Sequence, residues 1–252
     1  MADSAFAPGK TAAFPALPKT SRHPLFVRAT HWITAACFAA LLVSGCEIVV
    51  SHPRFYWGET GNAMTKPLFK IPIPASRATV PTGYGYVLPD QNGWSRALHF
   101  QTAWILILTG GIYLLLGSAG YFKRSLLPAE SELSLRALGA IAASHARFRR
   151  VDASPQGSYN ALQKLTYLLV IFFLFPLVIW TGLAMSPGFV AAFPATVTLL
   201  GGQQTARTIH FFLTLALSLF LAVHVVMVAR AGFADRVWAM ITGNAVADRR
   251  NP

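Results

Sequence analysis

Four of the seven histidines, His31, His99, His210 and His224, fall inside or at the rims of long apolar segments. An imidazole is costly there, and its presence marks a function with a partner to be named. His210 and His224 are fourteen residues apart in one such segment. At 100° and 1.5 Å per residue they face nearly the same way and stand about 21 Å apart along a helix. Within a hydrocarbon core about 30 Å thick, they mark two levels on one face. Neutral imidazole is a common metal ligand and the axial ligand of many haems. Two low-spin haems, one at each level, would need one further histidine each. His31 and His99 supply them.

Depth alone sets the pairing. With the N-terminus inside, His31 begins the first segment and His224 ends the fourth, which pairs them at the inner level. His99 and His210 begin the second and fourth segments, which pairs them at the outer level. A four-histidine zinc site fails, because zinc ligands all lie about 2.0–2.1 Å from one metal. A lone histidine would read as a packing residue, but four at two matched depths would not. His23, His52 and His145 lie outside the segments and read as solvent-exposed or loop residues.

Three of the four histidines follow an arginine by three residues: Arg28 before His31, Arg96 before His99 and Arg207 before His210. Residues three apart share a helix face, and each arginine is one turn nearer the surface. A guanidinium there suits a haem propionate. Snorkelling to headgroups accounts for Arg28, whereas Arg96 and Arg207 sit on the side where basic residues gain nothing from topology. Gly45 is fourteen residues after His31, on the same face at the outer level, where glycine permits close approach.

The elements that must position these groups are transmembrane helices. The chain has 252 residues, is 54% hydrophobic and 12% charged, and has a mean hydropathy of +0.48. Soluble domains carry about 25% charged residues. Four runs are long enough to span: Leu25–Val50, Arg96–Gly117, Ala161–Met185 and Thr205–Ala229. The expected fold is an all-α integral membrane four-helix bundle with both termini cytoplasmic. Residues 1–24 form a tail without the apolar core of a signal peptide, and 230–252 form a second cytoplasmic tail. An outer loop covers 51–95 and an inner loop 118–158.

The net charge of +12 follows that topology. Fifteen Lys and Arg fall on the inner side and six on the outer, the positive-inside pattern. A nucleic-acid surface would need a folded basic patch with stacking aromatics, so nucleic acid is not an expected partner. Membrane lipid is one. Leu133, Leu135, Leu138, Ile141 and Ala142, followed by the basic run from Arg147 to Arg150, read as an amphipathic helix on the inner leaflet. In the outer loop, Phe55, Tyr56, Trp57, Tyr84 and Tyr86 suit either docking or an interfacial belt. Pro176 is expected to kink the third helix. Cys37 and Cys46 lie about 13 Å apart on one helix, too far for a disulfide. The absence of C-x-x-C-H argues against covalent haem attachment.

The stretches HPLFVRATHW around His31, WSRALHF around His99 and RTIHFFLTLALSLFLAVHV carrying His210 and His224 resemble a known family. It comprises the four-helix di-haem cytochrome b subunits of bacterial nickel-iron hydrogenases, formate dehydrogenases and thiosulfate-reductase-type molybdoenzymes. The resemblance covers about residues 22–244 and implies two haems b held by these four histidines, in a multi-pass protein of the bacterial inner membrane. It also implies a quinone site at the start of the third helix, where SYNALQKL places Asn160, Gln163 and Lys164. The outer loop is longer than in the hydrogenase and formate-dehydrogenase forms, which favours a molybdopterin-containing periplasmic partner.

The expected function is therefore electron transfer between the quinone pool and a periplasmic oxidoreductase. No nucleotide, Walker or H-E-x-x-H motif offers substrate chemistry of its own. Two alternatives stand beside it: a stand-alone haem oxidoreductase, for example superoxide:quinone, and a haem-free histidine proton relay or transporter.

Overall fold

The computed structural model describes residues 23–62, 64–72, 91–128, 133–134, 139 and 161–243. Four helices are long and apolar enough to cross a membrane: Leu25–Ser51, Gly93–Ser118, Ala161–Leu183 and Gln203–Arg230. The protein is an all-α membrane bundle, and these spans match the expected segments to within a few residues. The first span packs along the second and the third along the fourth. Large apolar side chains point outward, with Leu108 65%, Leu115 72% and Leu219 67% exposed. A water-soluble bundle would bury such a surface, whereas lipid accommodates it.

The interior is built from small and polar groups, with Ser44, Thr102, Thr109, Thr181, Thr205 and Thr208 all buried. Small residues let membrane helices approach. Some of these hydroxyls donate to the preceding turn of their own helix, as Ser44 does to the Ala40 carbonyl at 2.7 Å and Thr181 to that of Leu177 at 2.9 Å. The third span contains a π-helical turn at Val170–Leu174, directly before Pro176. Proline has no N–H and its ring crowds the preceding turn, and the widened turn absorbs that mismatch inside an otherwise continuous helix.

The connection after the first span is structured over 52–62 and 64–72. Arg54–Phe55 pairs antiparallel with Phe69–Lys70. Phe55 stacks on Phe69 at 4.7 Å between centroids and meets Phe211 of the fourth span at 4.5 Å. Phe55 and Tyr56 are 1% and 4% exposed. They therefore anchor the loop to the bundle and form neither a docking face nor an interfacial belt, and of the three neighbouring aromatics Trp57 alone stays open. Tyr84 and Tyr86 lie outside the described residues. So do most of the positions of the expected inner-leaflet helix, including Leu135, Leu138, Ile141 and Ala142.

The stretch after Arg230, expected as a tail, contains a helix at Phe233–Thr242 bounded by left-handed Gly232 and Gly243. It folds back on the start of the first span. Arg28 donates from Nη1 to the Ile241 carbonyl at 2.7 Å, and Trp32 from Nε1 to that of Met240 at 3.3 Å. Cys37 is buried and Cys46 exposed, both as free thiols.

Candidate functional site

The four intramembrane histidines meet as two pairs. His31 of the first span and His224 of the fourth have ring centroids 6.3 Å apart, at the end of the bundle where the first span begins and the fourth ends. His99 of the second span and His210 of the fourth have centroids 6.2 Å apart, at the end carrying the β-hairpin. An imidazole nitrogen lies about 1.1 Å from its ring centre, and metal–imidazole bonds run about 2.0–2.1 Å. One metal atom between two such rings needs a centroid separation of about 6.2 Å, and both pairs have it. Among the described residues no group of three or more His, Cys, Asp or Glu gathers. Each pair thus offers two imidazoles at a spacing that would admit one metal between them, which suits a group such as haem whose other metal positions are already filled.

The pair at the hairpin end is held by its neighbours. Nδ1 of His99 lies 3.0 Å from Ser44 Oγ of the first span. Nδ1 of His210 lies 3.0 Å from Thr181 Oγ1 and 3.1 Å from the Val178 carbonyl, both on the third span. Beside each hydroxyl is a glycine. A methyl at Gly45 would meet His99 Cε1 at 3.5 Å, and one at Gly182 would meet His210 Cε1 at 3.4 Å. An added methyl would thus sit in ordinary van der Waals contact with each imidazole, so both rings lie close against the backbone of a neighbouring helix. Gly45, expected beside a haem, lies in this structure beside the His99 imidazole. Thr181 and Gly182 had no place in the sequence reading. Their signal was the dipeptide itself, since Ser44-Gly45 on the first span recurs as Thr181-Gly182 on the third.

At the other end, Nδ1 of His31 is buried with no hydrogen-bond partner among the described residues. Trp32 meets the His31 ring edge-on at 5.3 Å, and Phe220 lies near-parallel to His224 at 5.8 Å. The same Trp32 and Arg28 carry the C-terminal helix, so the segment beyond the last span reaches this pair.

The arginines have other partners here. Arg207 donates to the carbonyls of His52 and Arg54 and lies 4.8 Å over the Phe55 ring. It joins His52, Arg54, Tyr56, Gly61 and Gln204 around a cleft one turn above His210. Arg96, on the second span, is exposed and near enough to His52 to act on its charge. Burial first, then the guanidinium charges of Arg207 and Arg96, hold the His52 imidazole below its usual range. His52 is therefore half-buried in a basic cluster and not a freely solvated loop residue.

The hairpin itself is pinned to the start of the fourth span. Gly58 N–H donates to Thr205 Oγ1 at 2.7 Å, and the Gly58 carbonyl accepts from the N–H groups of Gln204 at 3.0 Å and Thr205 at 3.2 Å. Glu59 accepts from Gln203 N–H at 3.2 Å, and Thr208 Oγ1 donates to the Tyr56 carbonyl at 2.7 Å. The loop thereby caps N–H groups that a helix start leaves unpaired. At the start of the third span Lys164 is 4% exposed and Gln163 half-buried, while Asn160 lies outside the described residues.

Residues 22–243 match the family described as prokaryotic cytochrome b561, a span holding all four paired histidines. The chain belongs to the prokaryotic cytochrome b561 family. As a member it is a multi-pass protein of the bacterial inner membrane, and the family implies haem b. A curated relative, YedZ1 of Azospira oryzae, bears the name of a protein-methionine-sulfoxide reductase subunit. It is 31% identical to this b561 member over 215 residues, covering 82% of this chain and 89% of the relative. No solved structure matches the chain.

Proposed function

We propose that the protein is a di-haem cytochrome b that carries electrons between the quinone pool and a periplasmic oxidoreductase. The observation that carries this reading is the pair of opposed histidine couples, 6.3 and 6.2 Å between centroids, at the two ends of one bundle. His31 and His224 hold the cytoplasmic haem and His99 and His210 the periplasmic one. Bound there, the haems supply one-electron chemistry, and the chain's own residues orient the imidazoles and exclude water.

The partner reading has separate support. The outer face carries the structured hairpin with Trp57 and Leu68 64% and 59% exposed, directly over the His99–His210 couple. The curated relative's name describes a subunit of a reductase, which fits a membrane chain working with an oxidoreductase partner. The molybdopterin character of that partner rests on the family resemblance. A quinone at the cytoplasmic end would meet Asn160, Gln163 and Lys164 at the start of the third span, polar groups beside apolar walls as small-molecule sites require.

Pyridine haemochrome analysis of the loaded wild type tests the core of this reading. Two haems b per chain are expected, both six-coordinate and low-spin. His31→Ala or His224→Ala should remove one, and His99→Ala or His210→Ala the other. One haem or none in the wild type overturns it.

A further inference from the structure

We propose that Ser44 and Thr181 are positioning residues that fix the tautomer of the two periplasmic haem ligands and hold that haem's reduction potential down. The proposal rests on the assignment of His99 and His210 as ligands of one haem. Its substance is the hydrogen-bonding arithmetic of the two hydroxyls.

Each hydroxyl has one proton to give and two lone pairs. Ser44 Oγ donates along its own helix, to the carbonyls of Ala40 at 2.7 Å and Leu41 at 3.2 Å. Thr181 Oγ1 does the same to Leu177 at 2.9 Å and Val178 at 3.0 Å. With the proton committed to carbonyls, the oxygen can only accept from the imidazole. Nδ1 must then carry the hydrogen in both His99 and His210. His210 gives an independent sign of this, since its Nδ1 also faces the Val178 carbonyl at 3.1 Å, which accepts and never donates. Both rings thus present a bare Nε2, the lone pair that a metal takes, and neither needs to change tautomer to bind.

An imidazole that donates from Nδ1 is a stronger electron donor through Nε2, because the acceptor draws the proton away and leaves the ring more basic. A stronger donor favours the ferric state and lowers the potential, one of the levers by which a protein tunes haem. The same device recurs on two different spans, a hydroxyl and a glycine side by side: Ser44-Gly45 holding His99 and Thr181-Gly182 holding His210. At the other couple, by contrast, His31 Nδ1 has no such acceptor among the described residues. The paired hydroxyl and glycine thus stand beside both histidines of one couple and not beside His31 of the other.

The test is a spectroelectrochemical titration of the purified holoprotein, with electron paramagnetic resonance of the oxidised haems. Thr181→Val keeps the shape and removes the hydroxyl acceptor, leaving His210 Nδ1 the Val178 carbonyl alone, Ser44→Ala removes the hydroxyl on the opposite histidine, and Thr181→Ser and Ser44→Thr retain it. Thr181→Val and Ser44→Ala should each raise the potential of the haem lost in His99→Ala and alter its low-spin g values. The second haem should be unmoved, and the acceptor-retaining variants should titrate as wild type. Loss of that haem from Ser44→Ala with full retention in Ser44→Thr also supports the proposal, as a ligand left without its orienting partner. Two bound haems with unshifted potentials in Thr181→Val and Ser44→Ala overturn it, as does an equal shift of both haems or a shift of the same size in Thr181→Ser. Failure of the underlying assignment looks different: His99→Ala and His210→Ala would then leave the haem content unchanged.

Discussion

At the scale of single residues, the arginines show how much a local motif leaves undecided. Arg207 lies one turn from His210, yet its guanidinium is engaged by the carbonyls of His52 and Arg54 and covers the Phe55 ring. The same guanidinium lines the cleft one turn above His210, where a carboxylate would meet it. Arg207 can therefore tie the loop and a propionate to the same helix turn. Arg28, read from its spacing as an anchor or propionate partner, donates from Nη1 to the end of the C-terminal helix at Ile241, where a cation meets carbonyls left over by the helix. Arg207→Gln is expected to shift the potential of the haem proposed at His99 and His210 and leave the one proposed at His31 and His224 unchanged. A charge-assisted bond of about 1.5–3 kcal/mol is at stake. Redox titration checks it, and an unshifted periplasmic haem would leave Arg207 as a loop anchor alone.

At the scale of elements, the hairpin and the fourth span behave as one piece. Gly202 sits at φ +116, and a methyl there would come within 2.5 Å of the Gly58 backbone. Gly202→Ala combines a strained conformation, worth about 1–3 kcal/mol, with a backbone clash that no side-chain rotation can relieve. It should lower the melting temperature of the detergent-solubilised protein and speed hydrogen exchange across residues 52–62. Gly188→Ala, with nothing within 4 Å of the added methyl, should do neither. Thr205 Oγ1 accepts from the Gly58 N–H and Thr208 Oγ1 donates to the Tyr56 carbonyl, which holds the loop beside the His99–His210 couple, so a displaced hairpin should also slow electron exchange with the proposed partner.

At the scale of the whole molecule, the bundle is two helix pairs facing one another across a seam, with histidines bridging it at two levels. The fourth span supplies a histidine to each pair, about 21 Å apart along its axis, while the first and second supply one each. The third supplies none, yet it orients His210 through Thr181 and begins beside the buried Lys164. That start is the proposed quinone end. Asn160→Ala should slow haem reduction by a short-chain quinol roughly fivefold, the rate equivalent of a lost hydrogen bond of about 1 kcal/mol, with haem content intact. Unchanged quinol-driven turnover in a stopped-flow assay removes Asn160 from the site.

Membrane character, four spans and the four histidines were legible in the amino-acid order alone, because apolar run length and the 3.6-residue period depend on nothing beyond the local chain. His210 and His224 lie on one helix, so their shared face follows from a fourteen-residue spacing. The partners of that face were foreseen from depth, since a bilayer sets a common axis for every helix. What tertiary structure alone decided concerns contacts between distant segments. Ser44 and Thr181 reach histidines 55 and 29 residues away, Phe55 and Tyr56 turn inward because the hairpin caps the fourth span, and the chain after Arg230 coils back 213 residues to meet Arg28. No periodicity encodes such meetings: they depend on which helix packs beside which, and on hydroxyls and carbonyls that find partners only once the helices are in place.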